Sequence, residues 1–144
     1  MMIKLKERKA FIENLCKEFG IAILYVFGSQ SKEVANFFRK GVDISFSESD
    51  VDIGIKPIQG KRLTIKEKVL LALRLEEMLG AKRVDVVGLH EADPFLSVEI
   101  IRGERLFSLD EVEADEYELY LLRRAGDQIP LERERERLIF GEEK

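Results

Sequence analysis

The sequence predicts an α+β fold, an α/β sandwich in which a small mixed sheet is flanked by helices, and three observations predict it. Short apolar runs with strand character alternate with longer amphipathic stretches of helical period. The resulting order, α-β-α-β-α-β-α-(β)-α-α, makes the strands central and leaves helices to cover them. The chain of 144 residues has the size of one domain, without an internal repeat or a linker. A single domain over 1–144 is expected, with 103–144 as a helical C-terminal extension.

Residues 4–19 predict the first helix: Leu5, Phe11, Ile12, Leu15 and Phe19 recur at helical spacing, and Gly20 closes it. Cys16 falls within this rhythm and reads as a small core residue. IAILYVFG, 21–28, is a continuous apolar run closed by glycine, which predicts a buried strand. Residues 29–38 open a helix, and 39–49, RKGVDISFSES, read as a loop or exposed excursion. A second strand covers 50–56 and stops at Pro57. Residues 61–79 predict the clearest helix, with Leu63, Val69, Leu70, Leu73 and Leu79 on its buried face and Gly80 at its end. RVDVVGL, 83–89, is the third strand. Asp93 and Pro94 suit the N-cap and first position of a short helix over 94–102. RLFS adds a short edge strand. A helix over 111–126 is expected to stop near Gly126, with a last helix over 131–140 after Pro130. The alternating charges of 132–137 read as a solvated helix face.

Composition narrows the function. With 45% hydrophobic and 36% charged residues the chain is globular, and its Lys, Arg and Glu content is compatible with a heat-tolerant source. A net charge of −4 without a long basic run argues against a duplex nucleic-acid binder. It leaves open a ligand such as ATP, whose charge local donors and a metal can meet. One cysteine forbids an internal disulfide and suits a reducing compartment. No apolar run is long enough to span a membrane, and KLKERK is not followed by a signal-peptide core. A cytoplasmic protein with no membrane partner is expected.

The chemistry lies in three anomalies. In SESDVDIGI, 47–55, Val51, Ile53 and Ile55 alternate as a half-buried strand requires. Alternation puts Asp50, Asp52 and Gly54 together on the opposite face, expected to be the solvent side. Two carboxylates there repel each other and call for a cation. Asp85 is a lone acid inside VDVVGL, costly to bury unless paired, hydrogen-bonded or bound to a metal. Taken alone, it also reads as a strand-end cap. FGSQSK, 27–32, ends a strand at Gly28 and opens a helix at Ser29, where free N–H groups attract phosphate. Taken alone, a Gly-Ser pair is an ordinary turn. Together the three describe one machine: a turn that holds phosphates, and three carboxylates that hold one or two Mg2+ ions.

FGSQS, followed by SESDVDIGI and RVDVVGL, resembles the nucleotidyltransferase domain of the DNA polymerase β superfamily. VDVVGLHEADPFLSVEIIRGERLF is similar to the matching segment of the minimal nucleotidyltransferases paired with HEPN ribonucleases. The resemblance covers roughly residues 10–130 and implies the polymerase β-like fold. It implies an antitoxin that transfers AMP from ATP onto a tyrosine of a HEPN toxin partner. It assigns Asp50, Asp52 and Asp85 to catalysis and Mg2+ binding, and Gly28, Ser29 and Lys32 to nucleotide binding. Two other readings stay open: a non-catalytic antitoxin that neutralises by binding, and a small-molecule enzyme of the aminoglycoside type. A homo-oligomer is compatible with all three.

The chain departs from the family pattern Gly-Ser-x-Ala-Arg-Gly, running Gly28-Ser29-Gln30-Ser31-Lys32-Glu33. Lys32 replaces the arginine as a point charge without fork geometry. Glu33 puts a carboxylate where the loop favours phosphate, and the stretch 33–48 is longer than usual. Its Phe37, Phe38 and Phe46 are expected as a flap or partner contact. His90 reads as a surface or capping residue, and Tyr117 and Tyr120 as core or interface residues. With one histidine and one cysteine, a zinc site is not expected.

Overall fold

The run IAILYVF forms β1 (Ile21–Phe27), a central strand of a four-stranded mixed sheet of order β3-β2-β1-β4. The structure is a computed structural model describing residues 5–44 and 50–140, the stretch 128–140 by its backbone alone. β2 (Val51–Pro57) and β4 (Glu104–Ser108) pair antiparallel with β1, and β3 (Val84–Gly88) adds parallel to β2. Helices α1 (Leu5–Phe19), α2 (Ser31–Lys40) and α3 (Ile65–Leu79) cover one face. Helices α4 (Pro94–Ile101) and α5 (Glu111–Phe140) cover the other.

Both faces of β1 are therefore core, which is why it reads as an unbroken apolar run. Leu24 and Val26 join Val51, Ile53 and Ile55 beneath α1, α2 and α3. Ile23, Tyr25 and Phe27 pack with Leu89, Ile100 and Leu121 on the other side. This second core corrects the expectation that the Asp50/Asp52 face is solvent: α4 and α5 cover that face. Gly54 permits it, because a Cβ there would lie 2.4 Å from Ile100 Cγ2. Tyr25 is fully buried, and its hydroxyl donates to Glu118 of α5, which Arg105 of β4 also holds at 3.0 Å.

Three other expectations are corrected. On α3, Val69, Leu70 and Leu73 are exposed, whereas Leu71, Leu75 and Leu79 are buried with Leu63. The run VLLALRL offers apolar residues to two helical faces, and packing selected the one at spacing four that includes Leu79. A capping box starts this helix: Thr64 accepts from the Glu67 amide while the Glu67 carboxylate accepts from the Thr64 amide. Phe37 and Phe38 lie on α2, buried in the first core, and are not a flap; Phe46 lies outside the described residues. Their helix closes at Gly41, where buried Arg8 donates to the Phe37 carbonyl and to Asp43. Finally, α5 is one helix and not two. Gly126 does not take the positive φ by which glycine ends helices, and Pro130 removes only the bond to the residue 126 carbonyl. The charged side chains of 132–137 lie outside the described residues.

The N-cap expected at Asp93 is present, its carboxylate accepting from the Phe95 and Leu96 amides, both at 2.9 Å. The edge strand expected at RLFS is β4, so the segment after residue 102 contributes to the sheet before it turns helical. No helix among the described residues is long and apolar enough to cross a membrane.

Candidate active site

Strand directions bring the three sequence anomalies to one end of the sheet. Because β1 and β2 are antiparallel, the end of β1 lies beside the start of β2, with Phe27 opposite Asp52. Because β2 and β3 are parallel, their starts coincide, with Asp52 opposite Asp85. Val84 and Val86 face the first core and Val87 the second, so Asp85 shares the face of Asp52. Asp50 precedes β2 and is exposed, while Asp52 and Asp85 are half-buried.

Gly28 follows directly on Phe27. Its φ of +83° suits glycine, and a Cβ there would lie 2.8 Å from Asp52 Oδ2. Gly28 and the Asp52 carboxylate thus form one wall. The chain then turns through Ser29 and Gln30, with the Ser31 amide donating to the Gly28 carbonyl at 3.2 Å. Helix α2 begins at Ser31, two residues later than expected, so Ser29 belongs to the turn and Lys32 to the first helical turn; both are exposed. Gln30 offers no side-chain cap. The Val34 amide makes the first helical bond, to Gln30 at 3.0 Å, so the Lys32 and Glu33 amides precede that ladder. Such a terminus attracts an anion. The Glu33 carboxylate, in the same first turn, competes for that role.

Electrostatics tie the carboxylates together. Burial, and then the negative charges of Asp85 and Asp50, hold the Asp52 carboxyl above its ordinary range. Asp85 has a local partner: its Oδ1 accepts from Arg83 Nε at 3.0 Å. Sequence reading missed Arg83, although its place two residues before Asp85 puts it on the same strand face. Among the described residues, no three His, Cys, Asp or Glu side chains are already converged as a bound ion requires.

His90 lies in a short 3-10 turn after β3, away from the carboxylates, and Tyr117 and Tyr120 stack on α5.

Comparison with known proteins gives a consistent picture. The family model described as polymerase beta, nucleotidyltransferase, matches residues 10–112. No curated protein matches the chain by sequence. Among solved structures, a toxin–antitoxin complex with AMP-PNP contains a chain 21% identical, with a TM-score of 0.63, over 92% of this chain and 96% of that one. The toxin–antitoxin MntA-HepT is 18% identical with a TM-score of 0.63, over 94% and 97%. A tri-AMPylated Shewanella oneidensis HEPN toxin in complex with MNT antitoxin matches at 20% identity and a TM-score of 0.60, over 96% and 98%. At these identities the likeness concerns the fold.

Proposed function

Since the chain belongs to the polymerase β nucleotidyltransferase family, we propose that it is a Mg2+-dependent antitoxin that transfers AMP from ATP to a tyrosine hydroxyl of a HEPN toxin. The observation that carries this reading is the register that puts Gly28 and Asp85 on either side of Asp52. The likeness to chains from toxin–antitoxin complexes, one with AMP-PNP and one with a tri-AMPylated toxin, supports the donor and the partner.

The donor set fits Mg2+, which prefers hard carboxylate oxygens, and the mutual repulsion felt by Asp52 is what a cation relieves. Asp50, Asp52 and Asp85 would hold one or two ions once Asp85 turns from Arg83. Bound Mg2+ would neutralise the triphosphate and lower the pKa of the acceptor hydroxyl. Gly28 lets the backbone approach the phosphates, while the Ser29 hydroxyl, the α2 amides and the Lys32 ammonium donate to them. Asp85 takes the acceptor proton. The acceptor oxygen forms a bond to the α-phosphorus, the bond to the β-phosphate's bridging oxygen breaks, and pyrophosphate leaves. Positioning and charge stabilisation supply most of the rate.

Intact mass spectrometry tests the proposal: the full chain is incubated with the protein encoded beside it, ATP and Mg2+. The partner should gain whole AMP units, and Asp50→Asn with Asp52→Asn should abolish the gain without unfolding the chain. No gain despite a stable complex would overturn transfer in favour of neutralisation by binding, a reading that the Arg83–Asp85 contact and Glu33 favour. No gain and no complex would favour a small-molecule acceptor.

A further inference from the structure

Four residues beyond Asp52, about 13 Å along the strand, Lys56 opens a different site at the far end of the sheet. Lys56, Lys61, His90, Tyr117, Tyr120 and Arg124 line a groove of about 490 Å³. The reaction proposed above uses none of them. The Lys56 ammonium lies 5.0 Å from the centre of the Tyr117 ring. Tyr117 stacks on Tyr120, with ring centres 6.0 Å apart and planes 30° apart. Tyr120 is 54% exposed, so an aromatic surface stays open to solvent beside the cations. Lys61 is partly neutralised by Glu67 at 3.2 Å. Lys56 and Tyr117 also line an adjoining groove, whose acidic side carries Asp110, Glu113 and Glu116. That acidic side repels an anion and confines it to the Lys56–Arg124 side.

We propose that this groove is a second, non-catalytic site for a nucleoside phosphate, either free or within single-stranded nucleic acid, with the base stacked on Tyr120 and the phosphate held by Lys56 and Arg124. An exposed tyrosine face takes any base, and flanking ammonium and guanidinium groups recognise phosphate without reading sequence. The overall charge of −4 does not oppose this, because the field in the groove is set by its own cations.

The test uses the full chain with Asp50→Asn and Asp52→Asn, in EDTA, so that it is independent of catalysis. Its failure leaves the proposed transfer standing. Two probes are titrated: AMP by calorimetry, and a fluorescein-labelled short oligoadenylate by anisotropy. At least one should bind. Tyr120→Ala should weaken it about 5- to 150-fold, the worth of one stacked base, and Tyr120→Phe, which keeps the ring, should retain it. Lys56→Ala with Arg124→Ala should also weaken binding. Binding of AMP identifies a free-nucleotide site, and binding of the oligonucleotide alone identifies a single-strand site. Failure of both probes to bind, or affinities unchanged in these variants, overturns the proposal.

Discussion

Replacing Gly28 by alanine tests the idea that the loop glycine and Asp52 form one wall. Gly28 and Gly60 share a φ of +83°, but a Cβ at Gly28 would stand 2.8 Å from Asp52 Oδ2, whereas one at Gly60 would meet nothing within 4 Å. Gly60→Ala is thus a control for backbone strain alone. The left-handed conformation should cost each alanine variant about 1–2 kcal/mol. In Gly28→Ala the Asp52 carboxylate must also move, and holding it off its preferred rotamer adds about 0.5–1.5 kcal/mol. Urea unfolding should therefore place Gly28→Ala below Gly60→Ala. The transfer assay should separate them further, because displacing a reacting group by about 1 Å can cost about a hundred-fold in rate. Gly60→Ala should keep wild-type transfer at temperatures where it is folded. Equal activity of the two variants would refute the coupling of the loop to the carboxylate.

With Leu71 buried and Leu73 exposed on α3, Leu71→Ala should lose about 2–5 kcal/mol, whereas Leu73→Ala should stay within about 0.5 kcal/mol of wild type; equal losses in chemical denaturation would contradict the face assignment. Asp52 predicts a pH dependence. Its carboxyl is raised in the folded chain, so it favours folding fully below its unfolded value and loses that contribution as pH rises through the folded value. In EDTA, wild type should lose stability relative to Asp52→Asn as pH rises from the ordinary carboxyl range. Carboxylates held low by cations, such as Glu18 by Arg74, slope the other way but do so in both proteins and cancel in the difference. A wild type that gains on Asp52→Asn with rising pH would contradict the cluster. Gly54→Ala should destabilise by about 1–3 kcal/mol through overpacking, and it should cost less in an Ile100→Ala background, which lacks the clashing Cγ2.

The sheet was legible wherever local pattern and tertiary environment agreed. IAILYVF is apolar throughout because both its faces are buried, and VDIGI alternates because one end of one face carries the acids. The closures expected at Gly20 and Gly80 take the left-handed conformation that glycine permits, and Asp93 caps as its side chain allows. What failed needed information from outside the segment. Whether Leu71 or Leu73 faces inward depends on what α3 packs against, not on its own period. The second core, built from Tyr25, Leu89, Ile100 and Leu121, comes from four separate segments and has no local signature. Gly126 reads as a stop by composition, yet α4 packs along α5 and the helix continues. At the site, alternation was enough to put Asp52 on the face of Gly54, but its meeting with Asp85 and Gly28 required strand order and register. The Arg83–Asp85 pair leaves no signature in the Asp50/Asp52 segment, because its partners stand two residues apart on one face of β3 and its approach.

The central question is whether Asp50, Asp52 and Asp85 together hold a divalent cation with nucleotide. Anomalous diffraction from crystals soaked with Mn2+ and a non-hydrolysable ATP analogue answers it. The prediction is a metal peak bridging the triphosphate and oxygens of all three aspartates, with Asp85 released from Arg83. Nucleotide density at Gly28 and Ser29 without that peak, or a peak held by other residues, would contradict it.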